Sequence, residues 1–306
     1  MSAASLVAAL ALVGSASPAF ADGAPNDTAR AVSVVEKASG TNDVASSTAS
    51  AGAAAQATTS TEAGRITVTA PASSAGQVKA AAADGTSLGL QLENAKSVAG
   101  VKAGAGTVVY SGVARSTDLA VQPTVDGGAR TLVTLKDSAA STDQRFALNL
   151  PEGALVLPDA DGGYHVSRTT AGGKSVMVGA IEAPWAKDAN GKPVATSYKL
   201  EGNTLTQHIE TNKDTAFPVV ADPKITWGNV TGTAYFTKSE TKNIAIYGAT
   251  AAISTKFLPP PLNALYSVNA ALVSAKAVEA RGDGYCLKIK FAAGIFIPGV
   301  YSNGCD

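Results

Sequence analysis

The sequence predicts a mainly β protein: an antiparallel, sandwich-like central domain followed by a small α+β C-terminal domain with a helical hairpin. Three observations carry this. Short β-branched or aromatic runs recur between residues 64 and 223, separated by Gly-, Asp- and Asn-rich turns, the pattern of many short antiparallel strands. No helical pattern of about 10–15 residues lies between those runs, as a parallel α/β sheet would need. Beyond Ala221-Asp222-Pro223 the pattern changes to two Ala-rich stretches with apolar residues at helical spacing.

Residues 1–21 carry no charge, and residues 6–13 form an apolar run too short to span a bilayer. Ala19 and Ala21 flank Phe20, the A-x-A arrangement of a secretory signal peptide, so cleavage is expected between Ala21 and Asp22. A basic residue ahead of the apolar run is the one missing element. Secretion into the extracellular space is therefore the expectation, with no transmembrane segment in the mature chain. Residues 22–63 are dominated by Ala, Ser, Thr, Gly and Asp, a composition too poor in large apolar residues to offset the entropy of ordering it. They are expected to form a disordered linker.

The β-rich domain is assigned to residues 64–223. Alternation begins at Ile66 and Val68 and recurs at Val108-Val109-Tyr110, Leu119-Ala120-Val121, Leu132-Val133, Phe146-Ala147-Leu148 and Leu205-Thr206-Gln207-His208-Ile209. Asp126-Gly127-Gly128, Asp161-Gly162-Gly163, Asn190-Gly191 and Gly202-Asn203 mark turns. The C-terminal domain is assigned to residues 224–306. Ile225 opens a strand-like stretch with Trp227 as an anchor, and Thr237-Lys238-Ser239-Glu240 fits a capping box. One helix is expected over residues 238–255 and a second over 262–280, with Pro259, Pro260 and Pro261 between them.

Four segments of the central domain resemble a β-rich module of secreted actinobacterial proteins of unknown function. These are Asp118-Leu119-Ala120-Val121-Gln122-Pro123-Thr124, the FALNLPEG run from Phe146 to Gly153, the APWAKDANGKP run from Ala183 to Pro193, and the AFPVVADP run from Ala216 to Pro223. Related modules lie upstream of Rhs-type repeats in large secreted proteins. The resemblance implies secretion and a β module, and it carries no activity.

Composition and motifs exclude more than they assign. Lys+Arg and Asp+Glu number 24 each, which argues against a nucleic-acid partner and against electrostatic docking on anionic lipid. Cys286 and Cys305 are the only cysteines, and an even count in a secreted chain favours a disulfide. Closing that loop of about 20 residues is worth roughly 3 kcal/mol. No H-E-x-x-H, P-loop or dinucleotide fingerprint is present, and no cofactor or metal is expected. Gly85-Thr86-Ser87-Leu88-Gly89 matches the nucleophile elbow G-x-S-x-G, with His165 and His208 downstream. The match requires a strand before it and a helix after it. Asp159 and Asp188 each open a run like the start of a calcium loop, but Thr170 and Lys199 stand where the closing Glu belongs, so hairpin turns explain both better. The expectation is a secreted or cell-envelope-associated non-enzymatic protein, a β scaffold with a C-terminal interaction domain and an unknown extracellular or envelope partner. The alternatives are a membrane-active, bacteriocin-like effector and a serine hydrolase using Ser87.

Overall fold

The computed structural model describes residues 24–61, 64–159, 161–169, 175–227, 232–248, 262–292, 295–302 and Cys305. The expected leader and its Ala21–Asp22 junction lie outside the described residues, as does the expected helical stretch from 249 to 255. Helix α1 spans Ala24–Ser39. The first strands are β1 Thr48–Ser50, β2 Ala53–Thr61, β3 Gly64–Pro71, β4 Val78–Ala82, β5 Ser87–Leu92, β6 Val101–Ala103 and β7 Thr107–Ala114. There follow β8 Thr117–Pro123, β9 Ala129–Leu135, β10 Asp143–Asn149, β11 Ala154–Pro158, β12 Tyr164–Thr169 and β13 Ser175–Ile181. Next come β14 Ala186–Lys187, β15 Thr196–Glu201, β16 Thr204–Ile209, β17 Val219–Ala221, β18 Lys224–Trp227 and β19 Gly232–Tyr235. The chain ends with α2 Lys238–Tyr247, α3 Leu262–Gly282, β20 Cys286–Ala292 and β21 Ile295–Tyr301.

Two antiparallel sheets pack face to face. The smaller runs β1-β2-β3-β4-β5-β10-β16-β15, and the larger has β19-β20-β21-β13-β18-β9-β8-β7-β6 as its main path. Their inner faces share one core: Ile66, Val68, Leu88, Leu90, Phe146 and Leu205 from the first meet Leu119, Val121, Val133, Ile181, Ile225 and Trp227 from the second. Strands β10 and β16 alternate buried and more exposed residues, as half-covered strands must. The Tyr110 hydroxyl of β7 donates to the Pro71 carbonyl of β3 and so ties the sheets together across the core.

Strand β8 breaks this alternation, because all seven of its residues are buried. Its second face is covered by α1. Val32 and Val35 of the helix form a separate apolar cluster with Val109, Ala120, Leu132 and Val220. Polar contacts frame that cluster. The Glu36 carboxylate accepts from the Ala105 amide and the Thr107 hydroxyl, and Ser39 Oγ donates to the buried Gln122 side chain. Arg130 holds Asp43 just beyond the helix through a two-pronged contact. A Cβ at Gly104, in the β6–β7 turn, would overlap Glu36 and Val32, and Gly104 also has φ +58°, so only glycine fits there.

The linker expectation for residues 22–63 is therefore corrected: residues 24–61 form α1, β1 and β2. The composition misled because the apolar face of α1 is only two valines deep. In β2 the buried positions are Ala53, Ala55 and Ala57, whose side chains are too small to announce a strand. The order comes from tertiary docking and from pairing with β3.

The C-terminal boundary also shifts. Strand β18 lies between β9 and β13, and its Ile225 and Trp227 are part of the sandwich core, so the sandwich core runs past Pro223 to Trp227, and β19, β20 and β21 extend the larger sheet beyond β13. The capping box at Thr237 is present: its hydroxyl accepts from the Glu240 amide while the Glu240 carboxylate accepts from the Thr237 amide. Helices α2 and α3 pack on one another, and α3 lies across β20 and β21. Val35→Asp is expected to detach α1, because a carboxylate cannot be buried unpaired against Val109 and Leu132. Limited proteolysis should then cut within residues 24–44, and the thermal midpoint should fall.

Candidate functional site

Ser87 opens β5 directly after the β4–β5 turn, paired with Ala81. A β-hairpin occupies the place where a nucleophile elbow needs a strand, a sharp turn and a helix. Among the described residues no hydrogen bond joins Ser87 to either histidine. His208 is exposed on β16 and its Nδ1 lies 2.6 Å from Asp143. Both calcium-loop candidates are turns: Asp161 accepts from the Gly163 amide, and Asp188 accepts from the Asn190 and Lys192 amides. Among the described residues no group of three or more His, Cys, Asp or Glu is placed to hold a metal ion.

The densest charge cluster sits at one end of the larger sheet. The β8–β9 turn brings Asp126, the β11–β12 turn brings Asp159 and Asp161, β12 brings His165, and the end of β13 brings Glu182. Together they line a cavity of about 480 Å³. Asp159 lies 2.7 Å from His165 Nε2, in ion-pair contact but without the alignment of a hydrogen bond. Lys224 is buried beneath this cavity, 2.7 Å from Asp126 and 2.8 Å from Glu182. Burial alone would lower its pKa, but the two carboxylates outweigh that and raise it, while Lys224 and Thr124 hold Asp126 below the usual carboxylate range despite its own burial. Lys224 is thus a locked ammonium and a poor base at neutral pH.

Two residues earlier in sequence, Asp222 is fully buried. Its Oδ1 accepts from the Trp185 amide at 2.9 Å and from the Gln207 side-chain amide at 3.2 Å. Burial drives its pKa up to about 7, only partly opposed by these donors. The second oxygen, Oδ2, has no hydrogen-bond partner. The adjoining Tyr198 phenol is held well above its ordinary pKa by burial and by the Asp222 charge. Asp222 pins the Trp185 segment to β16 and β17. Trp185 in turn packs beside the α1 cluster, with the Lys187 ammonium 5.2 Å above its ring.

Cys286 and Cys305 form a disulfide, as the cysteine count suggested. It fixes the chain end to the first residue of β20. The surface of this C-terminal unit differs from the rest. Among the described residues ten large apolar side chains are exposed, and seven belong to it: Tyr235, Ile246, Tyr247, Leu272, Val278, Tyr285 and Ile297. Seven of the ten thus fall in about a quarter of the chain. Sequence reasoning expected an interaction domain here but did not name these side chains. The signal was the period-two pattern of Leu287, Lys288, Ile289 and Lys290, which separates a buried face from an outer one.

Comparison of the chain with protein-family models, with curated proteins and with solved structures finds no match in any of the three.

Two outcomes follow from the buried charges. Because the folded state holds a proton on Asp222 more tightly than the unfolded chain does, its contribution to stability is fully present below pH about 4. It is lost as pH rises through about 7. Asp222→Asn keeps an oxygen for the Trp185 amide and should flatten this decline; thermal melts between pH 4 and 8 check it. Lys224→Met leaves Asp126 and Glu182 without their cation and should cost about 3–5 kcal/mol in denaturant unfolding.

Proposed function

We propose that this protein is a secreted or cell-envelope-associated, non-enzymatic binding protein, in which the β-sandwich is a rigid carrier and the disulfide-clipped C-terminal unit makes the contact. The observation that carries this reading is the gathering of exposed large apolar side chains on that unit. The disulfide supports an oxidising compartment, and the uncharged leader with its A-x-A pattern supports export. The likeness of the Asp118–Thr124, Phe146–Gly153, Ala183–Pro193 and Ala216–Pro223 segments to a secreted actinobacterial module points the same way.

A second reading is a membrane-active antagonistic effector. Leu272 and Val278, exposed on the Ala-rich helix α3, favour it. No helix among the described residues is long and apolar enough to cross a membrane. Dye release from vesicles at micromolar protein decides for the effector, and intact vesicles decide against it.

The main reading is tested with labelled mature protein and isolated cell envelopes. Leu272→Ser with Val278→Ser and Tyr235→Ser should lower binding at least about tenfold, as loss of a contact patch does. Val125→Ser with Leu155→Ser, on the sandwich, should leave binding unchanged. Equal effects from both sets would sink the reading.

A further inference from the structure

The zero net charge of the chain is an average over unequal parts. Residues 228–306, beyond the buried and paired Lys224, carry seven Lys+Arg against four Asp+Glu, a net of +3, so the remainder carries −3. The basic excess falls on the same unit as the exposed apolar side chains.

Register places several of these residues on one sheet face. Tyr235 of β19 pairs with Lys288 of β20, which pairs with Gly299 of β21. Residues two apart on a strand share a face, so Ile297 and Tyr301 flank Gly299 on that side. Two contacts agree with this. The Tyr235 and Tyr301 rings meet edge-on with centroids 5.1 Å apart. A Cβ on Gly299 would stand 3.5 Å from Lys288 Cε, so the lysine stem passes over the glycine. The opposite face holds Leu287 and Ile289, which are buried on the side where α3 crosses the strands. The outer face is open: Tyr235 is 64% exposed and Ile297 47%. The Lys288 ammonium makes no ion pair among the described residues.

An exposed phenol, an aliphatic side chain and a cation without an ion pair on one face of three strands match the boundary between lipid headgroups and acyl chains, while Tyr301, whose hydroxyl donates to the Phe236 carbonyl, braces the Tyr235 ring from beside. Tyrosine keeps its hydroxyl at the wet side while its ring enters the apolar side, and lysine meets phosphate. We propose that the outer face of β19, β20 and β21 docks on anionic lipid bilayers, with Tyr235 and Ile297 entering the interface and Lys288 contacting lipid phosphate. This rests on the interaction reading above and names its partner. A second copy docked through the same face would set Lys288 against Lys288. An anionic bilayer neutralises its charge.

The test is flotation of the full mature chain, disulfide intact, with vesicles of phosphatidylcholine alone and with phosphatidylglycerol added. Binding is expected only with phosphatidylglycerol and should weaken steeply with salt. Tyr235→Ser with Ile297→Ser should reduce it about tenfold or more, Lys288→Glu about tenfold, and Tyr235→Trp should preserve it. All three side chains are exposed or half-exposed, so unchanged circular dichroism and melting establish that the variants fold. Absence of binding to anionic vesicles, or binding indifferent to these substitutions, overturns the lipid proposal. So does a concentration-dependent dimer lost in the same variants. If envelopes still bind the protein while vesicles do not, the lipid proposal fails and the interaction reading stands. If neither binds, both fail.

Discussion

Docking of α1 on the outer face of β7, β8 and β9 removes Val109, Ala120, Leu132 and Val220 from water. Those strands are apolar on both faces, and a two-layer sandwich can cover only one of them. The N-terminal helix acts as a third layer over the centre of the larger sheet. Its position is then fixed by polar contacts of the kind burial demands: Gln122, fully buried, is bonded to Ser39 on one side and to Thr107 on the other. Ala120 is small where the helix axis passes, and Gly104 is absent of side chain where Glu36 passes.

The short stretch from Val219 to Trp227 links this arrangement to the rest. Strands β17 and β18 both pair with β9, and between them Asp222 and Pro223 interrupt the ladder. The interruption drops one carboxylate into the interior, where it holds the Trp185 segment. It also brings Lys224 under the turns that carry Asp126 and Glu182. Buried ions of this kind add little net stability, but they are costly to leave half-paired and so fix which turns lie side by side.

The strands rich in Val, Ile, Leu and Phe were legible in the sequence, because their period of two is visible wherever large side chains mark the buried face. Trp227 was read correctly as an anchor, and the capping box at Thr237 and the cysteine pair were legible from local chemistry. The segments built from small residues were not. Ala53, Ala55 and Ala57 bury as fully as valines would, yet nothing in their size separates them from a spacer. Strand β21 was not foreseen, because it contains Pro298 and Gly299, residues that strands disfavour, which here face Ile289 and Lys288. The outer face of the C-terminal unit was obscured by averaging, since neither the net charge nor the overall hydropathy shows that the cations and the exposed apolar groups share one end.

The covering helix also has a kinetic consequence. Lys37 bonds to the Ala189 carbonyl 152 positions away, and Lys187 bonds back to Ala38 across 149. The strands under α1 lie between residues 107 and 135. Helix α1 therefore precedes every strand it covers, and its isolated 16 residues are marginal in water. Hairpins between sequence neighbours, such as β2–β3, β7–β8 and β8–β9, can close as they form, whereas α1 waits on loops of 71 to 152 residues.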